Sequence, residues 1–231
     1  MNSLPEGYRA LVLGASGAIG TNFASLLSHD PRCGEVIGLH RNSVPAIDMI
    51  DQHSIANAAE FFHGGAPFHL IIHAVGLLHD EDMKPEKKLS DLRADNLMKS
   101  FSVNTIGPAL VMRYFTPLLS KEGSRMVFLS AKVGSISDNR LGGWYTYRAS
   151  KVALNMLVKT ASIELKRTSP NAIVVAMHPG TVNSKLSKPF GGESKGRPAN
   201  VACREMLQSI DAMHLGQSGH FLSYNAQALP W

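Results

Sequence analysis

Cysteine is scarce: Cys33 and Cys203 are the only two in 231 residues, and they have no CxxC spacing. That pattern excludes a disulfide framework and leaves two reduced thiols. Long apolar runs are missing too. No stretch approaches 18 uninterrupted apolar residues, so none is expected to span a membrane. The opening MNSLPEGYRALVLG lacks a basic segment followed by an apolar core and a small-residue cleavage site, so no secretory leader is expected. Charge is sparse at 18%, and the formal +5 contains no run of five basic residues. A nucleic-acid surface concentrates its charge, whereas a diffuse excess suits a phosphate-bearing small molecule. Neither internal repeats nor low-complexity linkers break the chain. These absences leave a soluble, cytoplasmic globular protein, with neither a nucleic-acid nor a membrane partner, and 44% hydrophobic residues to build its core.

What is present is a series of short continuous apolar runs at 10–13, 35–39, 69–75, 125–130, 172–178 and 219–224. Unbroken runs suit strands buried on both faces of a parallel sheet. Helical spacing follows the first run at Ile19, Phe23, Leu26 and Leu27, and it recurs over 53–62, 96–119, 145–168 and 199–214. Alternating strands and helices predict a doubly wound sheet. Two polar loops, 77–95 and 183–198, interrupt the pattern.

The first strand-to-helix turn reads LVLGASGAIGTN, with Gly14, Gly17 and Gly20 three apart. This is the pattern of a dinucleotide turn. Gly14 permits the tight bend, Gly17 lets backbone approach a pyrophosphate, and Gly20 lets the helix lie close to the sheet. Free N–H groups at the helix start would face the phosphates. The second strand ends at His40 and Arg41, where a ribose-binding carboxylate is usual. A cation there suits a 2′-phosphate, so NADP(H) is preferred over NAD(H). Further on, Tyr147 and Lys151 share one face of a long helix. A neighbouring ammonium favours phenolate, so the pair could exchange a proton with an alcohol or carbonyl oxygen.

Histidine is plentiful, yet no metal site is expected. His69 and His73 would lie about 13 Å apart on one strand face, too far for one zinc.

With these motifs in place, the chain resembles the short-chain dehydrogenase/reductase family, and within it the C-factor and sniffer-like carbonyl reductase group. The glycine turn, VNTIGP (103–108), the segment LSAKVGSIS that ends the 125–130 run, YRASK (147–151) and HPGTVNS (178–184) stand in the family's order. GSISDNRLGGWYTYRASKVALNM and the terminal LPW carry the closer likeness. The resemblance covers nearly the whole chain. It implies one Rossmann-type α/β domain over 1–231, a doubly wound, mostly parallel seven-stranded sheet with helices on both faces. It also implies an oxidoreductase that transfers hydride between nicotinamide and a carbonyl or secondary alcohol.

The implied roles are Tyr147 as general acid/base, Lys151 as its support, and Asn104 as holder of a relay water. The implied cofactor cradle comprises Gly14, Ala15, Ser16, Gly17, Ala18, Ile19, Gly20, His40, Arg41, Asp48, Met49, His73, Ala74, Val75, Gly76, Leu129, Ser130, Tyr147, Lys151, Pro179, Gly180, Thr181, Val182 and Ser184. Three departures stand out. GxxGxxG replaces the commoner GxxxGxG, HAVG (73–76) stands for NNAG, and Ala131 occupies the usual catalytic-serine position. Ser135 is the expected substitute, Ser130 the second choice, and no serine the third. These departures keep open a dinucleotide-binding signalling protein with little turnover. Leu77, Leu78, Leu141, Trp144 and Phe190 are candidates to line a hydrophobic substrate pocket, with 185–198 closing over it. Apolar residues on more than one face of helix 145–168, together with helix 96–119, point to a homodimer or homotetramer.

Overall fold

The structure, a computed structural model, describes residues 1–231. Six parallel strands form a single sheet in the order β2-β1-β3-β4-β5-β6. They are β1 (Tyr8–Leu13), β2 (Cys33–Leu39), β3 (Leu70–His73), β4 (Ser124–Leu129), β5 (Ala172–His178) and β6 (Phe221–Ser223). The helices are α1 (Ala18–Ser28), α2 (Gln52–Glu60), α3 (Ala94–Phe101), α4 (Gly107–Phe115), α5 (Tyr145–Thr168), the single turn α6 (Gly192–Lys195) and α7 (Ala199–Asp211).

Alternate residues of the central strands feed two cores. Leu11, Ile71, Phe128 and Val174 pack with Val111 of α4 and with Leu154 and Val158 of α5. Val12, Ile72, Val127 and Val175 pack on the opposite face with Phe23 of α1 and Met206 of α7. Every central strand is therefore apolar on both sides, which is why its sequence reads as a continuous run. No helix is long and apolar enough to cross a membrane.

The expected seventh strand is absent. It would lie beyond β2, and a parallel neighbour needs a crossover of about a dozen residues or more. Only residues 40–47 separate Leu39 from Asp48, so the chain goes directly from the end of β2 into a loop and then α2. The sheet therefore ends at β2.

Helix 96–119 is also divided. A π-helical turn, Ser102–Ile106, separates α3 from α4. The Gly107 N–H donates five residues back to the Ser102 carbonyl. Pro108 has no N–H, so the Asn104 carbonyl loses its α-helical donor at this point.

Candidate active site

The strand ends place the site. At the C-terminal end of β1, Gly14 adopts φ +90°, and a Cβ there would lie 2.9 Å from Val75 and 3.1 Å from the Ala74 carbonyl carbon. Gly17 is the N-cap of α1, with a cap side chain absent by necessity. The backbone N–H groups of Ala18, Ile19 and Gly20 have no protein acceptor. Together they leave three free donors at the positive end of the helix dipole, an arrangement that suits an anion. A Cβ on Gly20 would sit 2.1 Å from the Gly14 carbonyl oxygen, so the turn and helix can touch only at glycine.

A cleft of about 470 Å³ opens from this turn. Ten of the expected cradle residues line it: Gly14, Ser16, Gly17, His40, Arg41, Asp48, Met49, Ala74, Val75 and Gly76. Ile47, Ile50, Leu77, Asp80, Lys99 and Val103 also line it, and sequence reasoning did not name them for the cradle. Lys99 and Val103, four apart ahead of Asn104, were the readable signal for part of that wall. Lys99 is paired with Asp80 at 2.5 Å. Arg41 is exposed and takes part in none of the chain's ion pairs. His40 instead accepts the Asn42 N–H through Nδ1 at 3.1 Å.

Ala15, Ala18, Ile19 and Gly20 build the turn without lining this cleft, and Leu129, Ser130 and 179–184 also lie outside it. His73 is likewise outside it and wholly buried, stacked 5.4 Å from Phe128 with Nε2 3.4 Å from the Met49 sulfur. Its Nδ1 has no partner. Burial, and secondarily the charge of Lys151, push its pKa down to about 3.

Where HAVG replaces the usual asparagines, Asn104 supplies the bracing. Its Oδ1 accepts the Leu77 N–H at 2.8 Å, and its Nδ2 donates to the Leu77 carbonyl at 2.7 Å. Nδ2 also reaches the Ser100 and Ser150 hydroxyls, each at 3.1 Å. A Cβ on Gly76 would lie 3.6 Å from both Asn104 Oδ1 and Lys151 Nζ, so β3, the π turn and α5 converge there.

On α5, Tyr147 and Lys151 are both buried. The Lys151 ammonium donates to the Leu129 carbonyl at 3.0 Å and stands 5.8 Å from the centre of the Tyr147 ring. Burial pushes the Lys151 pKa down to about 8 and the Tyr147 pKa above its ordinary value. The spacing alone predicts a depressed tyrosine pKa. In the fold, desolvation of the phenolate moves it the other way.

The serines differ in what occupies them. Ser130 donates to Asn155 Oδ1 at 2.7 Å, inside the protein. Ser135 follows a short 3₁₀ turn, Lys132–Gly134, that abuts α5 at Lys151. Its buried hydroxyl accepts the Asp138 N–H at 3.2 Å.

After β5, Gly180 adopts φ +74° and packs against Arg197 and Tyr224. Arg197 holds this loop. Its Nη2 donates to the Pro179 carbonyl at 2.8 Å, its backbone N–H to Thr181, and its carbonyl accepts from Asn183. Val182 is buried and Ser184 meets Ser187 at 3.2 Å. Of the candidate pocket residues, Trp144 and Phe190 touch, with ring centres 4.9 Å apart, and Trp144 lies 6.3 Å from Tyr147. Leu77 lines the cleft, Leu78 is buried, and Leu141 is 92% exposed and lies outside this cleft.

A family profile described as short chain dehydrogenase matches residues 43–194. A 1-hydroxy-2-glutathionyl-2-methyl-3-butene dehydrogenase from Rhodococcus sp. strain AD45 is 29% identical over 188 residues, spanning 81% of this chain and 79% of that protein. The C-signal protein of Myxococcus xanthus is 33% identical over 144 residues, 62% of this chain and 83% of that one. Among solved structures, the carbonyl reductase Sniffer of D. melanogaster superposes with a TM-score of 0.84 at 20% identity, over 97% of this chain and 99% of that one. An NADPH-bound carbonyl reductase from chicken fatty liver gives 0.83 at 23%, over 99% and 100%.

Proposed function

The chain belongs to the short-chain dehydrogenase family of nicotinamide-dependent oxidoreductases acting on carbonyl and alcohol groups, and from that premise we propose that it is an NADP(H)-dependent carbonyl reductase. The observation that carries the reading is the convergence of buried Tyr147, Lys151 and Asn104 beside a glycine-walled cleft that ends at a free arginine.

The residues fit a dinucleotide. The unpaired N–H groups at the start of α1 would take the pyrophosphate, Asp48 and Met49 the adenine, and Arg41 the 2′-phosphate. When bound, the reduced nicotinamide supplies the hydride. The protein supplies the proton. A buried tyrosine whose pKa is raised stays a neutral phenol at pH 7, which suits donation to the oxygen of a carbonyl under reduction. Lys151, with a pKa near 8, is still mostly an ammonium at pH 7 and stabilises the phenolate left behind. The Asn104 side chain is committed to Leu77, so its main-chain carbonyl, deprived of a donor by Pro108, is the group left to hold a relay water. Ser135 would supply the hydroxyl to the substrate oxygen. The substrate is a small carbonyl compound or alcohol. Exposed Met98, Ile106, Met156 and Ile163 on the α3–α5 side support a dimer or tetramer.

The engaged Ser130 and the alanine at 131 favour a second reading, a dinucleotide-binding regulator with little turnover. Tyr147→Phe separates the two. Loss of carbonyl-dependent NADPH oxidation with NADPH binding intact supports the reductase. A wild-type protein that binds NADPH and oxidises it with no carbonyl of a broad aldehyde and ketone panel supports the regulator.

A further inference from the structure

Glu86 lies in the polar loop after β3, between exposed Lys84 and Lys87, yet its own side chain is buried and pairs with no cation. Its carboxylate is directed at the head of α5. One oxygen accepts the Thr146 N–H at 3.2 Å and the other accepts the Thr146 hydroxyl. Its main-chain carbonyl accepts the Trp144 N–H at 2.6 Å. Glu86 thus grips the chain on both sides of Tyr145, and a carboxylate is favoured at a helix N-terminus.

The segment it grips is strained. Gly142, Gly143 and Trp144 are left-handed in succession, with φ +63°, +60° and +52°. Glycine tolerates this region and tryptophan does not, so something must hold Trp144 there. Arg148 fixes the two glycines by donating to their carbonyls at 2.9–3.2 Å and to that of Val133 at 3.2 Å. Glu86 fixes the third residue. The Trp144 ring held in this way meets Phe190 of segment 183–198, which His79 ties down by an Nε2 contact of 3.1 Å to the Leu186 carbonyl and a ring contact of 5.5 Å to Phe190. The same indole is edge-on to Tyr147.

We infer that Glu86 is a positioning residue for substrate. It holds Trp144 in its left-handed conformation so that the indole and Phe190 close an aromatic roof beside Tyr147. The inference rests on the reductase reading for its kinetic consequence, and on geometry alone for its structural one. Glutamine in place of Glu86 keeps the shape but loses the charge favoured at a helix N-terminus, and its amide nitrogen, unlike a carboxylate oxygen, accepts neither the Thr146 N–H nor its hydroxyl proton.

The test uses the full chain in a Trp231→Phe background, where Trp144 is the sole tryptophan. Glu86→Gln is expected to shift Trp144 emission to the red and to lower hydrogen-exchange protection over 183–198. With NADPH and 4-nitrobenzaldehyde, KM is expected to rise at least tenfold while kcat changes less than threefold and NADPH binding less than twofold. Thr146→Val should reproduce these changes and Thr146→Ser should restore them, which covers a Glu86 variant that fails to fold. Unchanged emission and exchange in Glu86→Gln or Thr146→Val, with only a lower Tm, overturns the proposal, as does a fall in kcat at constant KM. Absence of wild-type turnover would count against the reductase reading alone, because emission and exchange are read without it.

Discussion

Lys151 carries its charge in a place that disfavours it. Its pKa near 8 means the ammonium is present below that pH and lost above it. Reduction that depends on this charge should therefore decline as pH rises through about 8. Lys151→Arg, which stays charged throughout, should remove that upper limb from the pH–kcat/KM profile. The serines separate in a similar way. Ser135→Ala should lower kcat by roughly 10²-fold if its hydroxyl meets the developing oxyanion. Ser130→Ala strands the Asn155 carbonyl inside the protein. It should instead cost about 1–3 kcal/mol in denaturant titration, with kcat little changed. A Ser135→Ala enzyme with native kcat and KM would return the catalytic role to water and Tyr147.

At the scale of elements, the start of α1 is the most constrained. Gly20→Ala must push the helix from the Gly14 carbonyl, since the added carbon would lie 2.1 Å from that oxygen. NADPH affinity is expected to fall by an order of magnitude or more, read by fluorescence titration, together with a lower Tm. Arg41→Ala should weaken NADPH and leave NADH unaltered. Element by element, the chain was unevenly legible. The runs 172–178 and 145–168 match β5 and α5 end to end, because one is apolar on both faces and the other has unbroken helical spacing. The π turn was not legible, since apolar spacing registers little change when one turn widens around Asn104. The seventh strand was read from resemblance, although the short link between Leu39 and Asp48 argued against it. Glu86 escaped notice because a glutamate among lysines reads as solvated surface, and only the fold turns it inward. The glycine turn, the place of Arg41 at the cleft and the shared face of Tyr147 and Lys151 were visible because each placement follows from local spacing.

For the whole molecule, two buried histidines contribute to acid behaviour. His73 is held neutral by burial first and Lys151 second, and His178 by burial first and then Lys132 and Arg197, with pKa values of about 3 and about 4. In the unfolded chain each takes a proton near 6.5. Below that pH these two sites bind more protons in the unfolded state than in the folded one, so their contribution to stability is complete above 6.5 and falls as the solution is acidified toward 4. The loss is at most about 1.4 kcal/mol per pH unit for each histidine. His73→Asn should shallow the decline between pH 6.5 and 4.5 in urea titrations, and an unchanged slope would remove His73 from the account. The sheet's ending at β2 has a different consequence. Because no helix and strand intervene after Leu39, one uninterrupted peptide from His40 to Ile50 supplies His40, Arg41, Ile47, Asp48, Met49 and Ile50 to the cleft. What larger sheets distribute over separate layers is here a single cassette. On the role proposed for Arg41, exchanging this one short loop is expected to carry cofactor preference to another chain of the same fold while the sheet stays as it is.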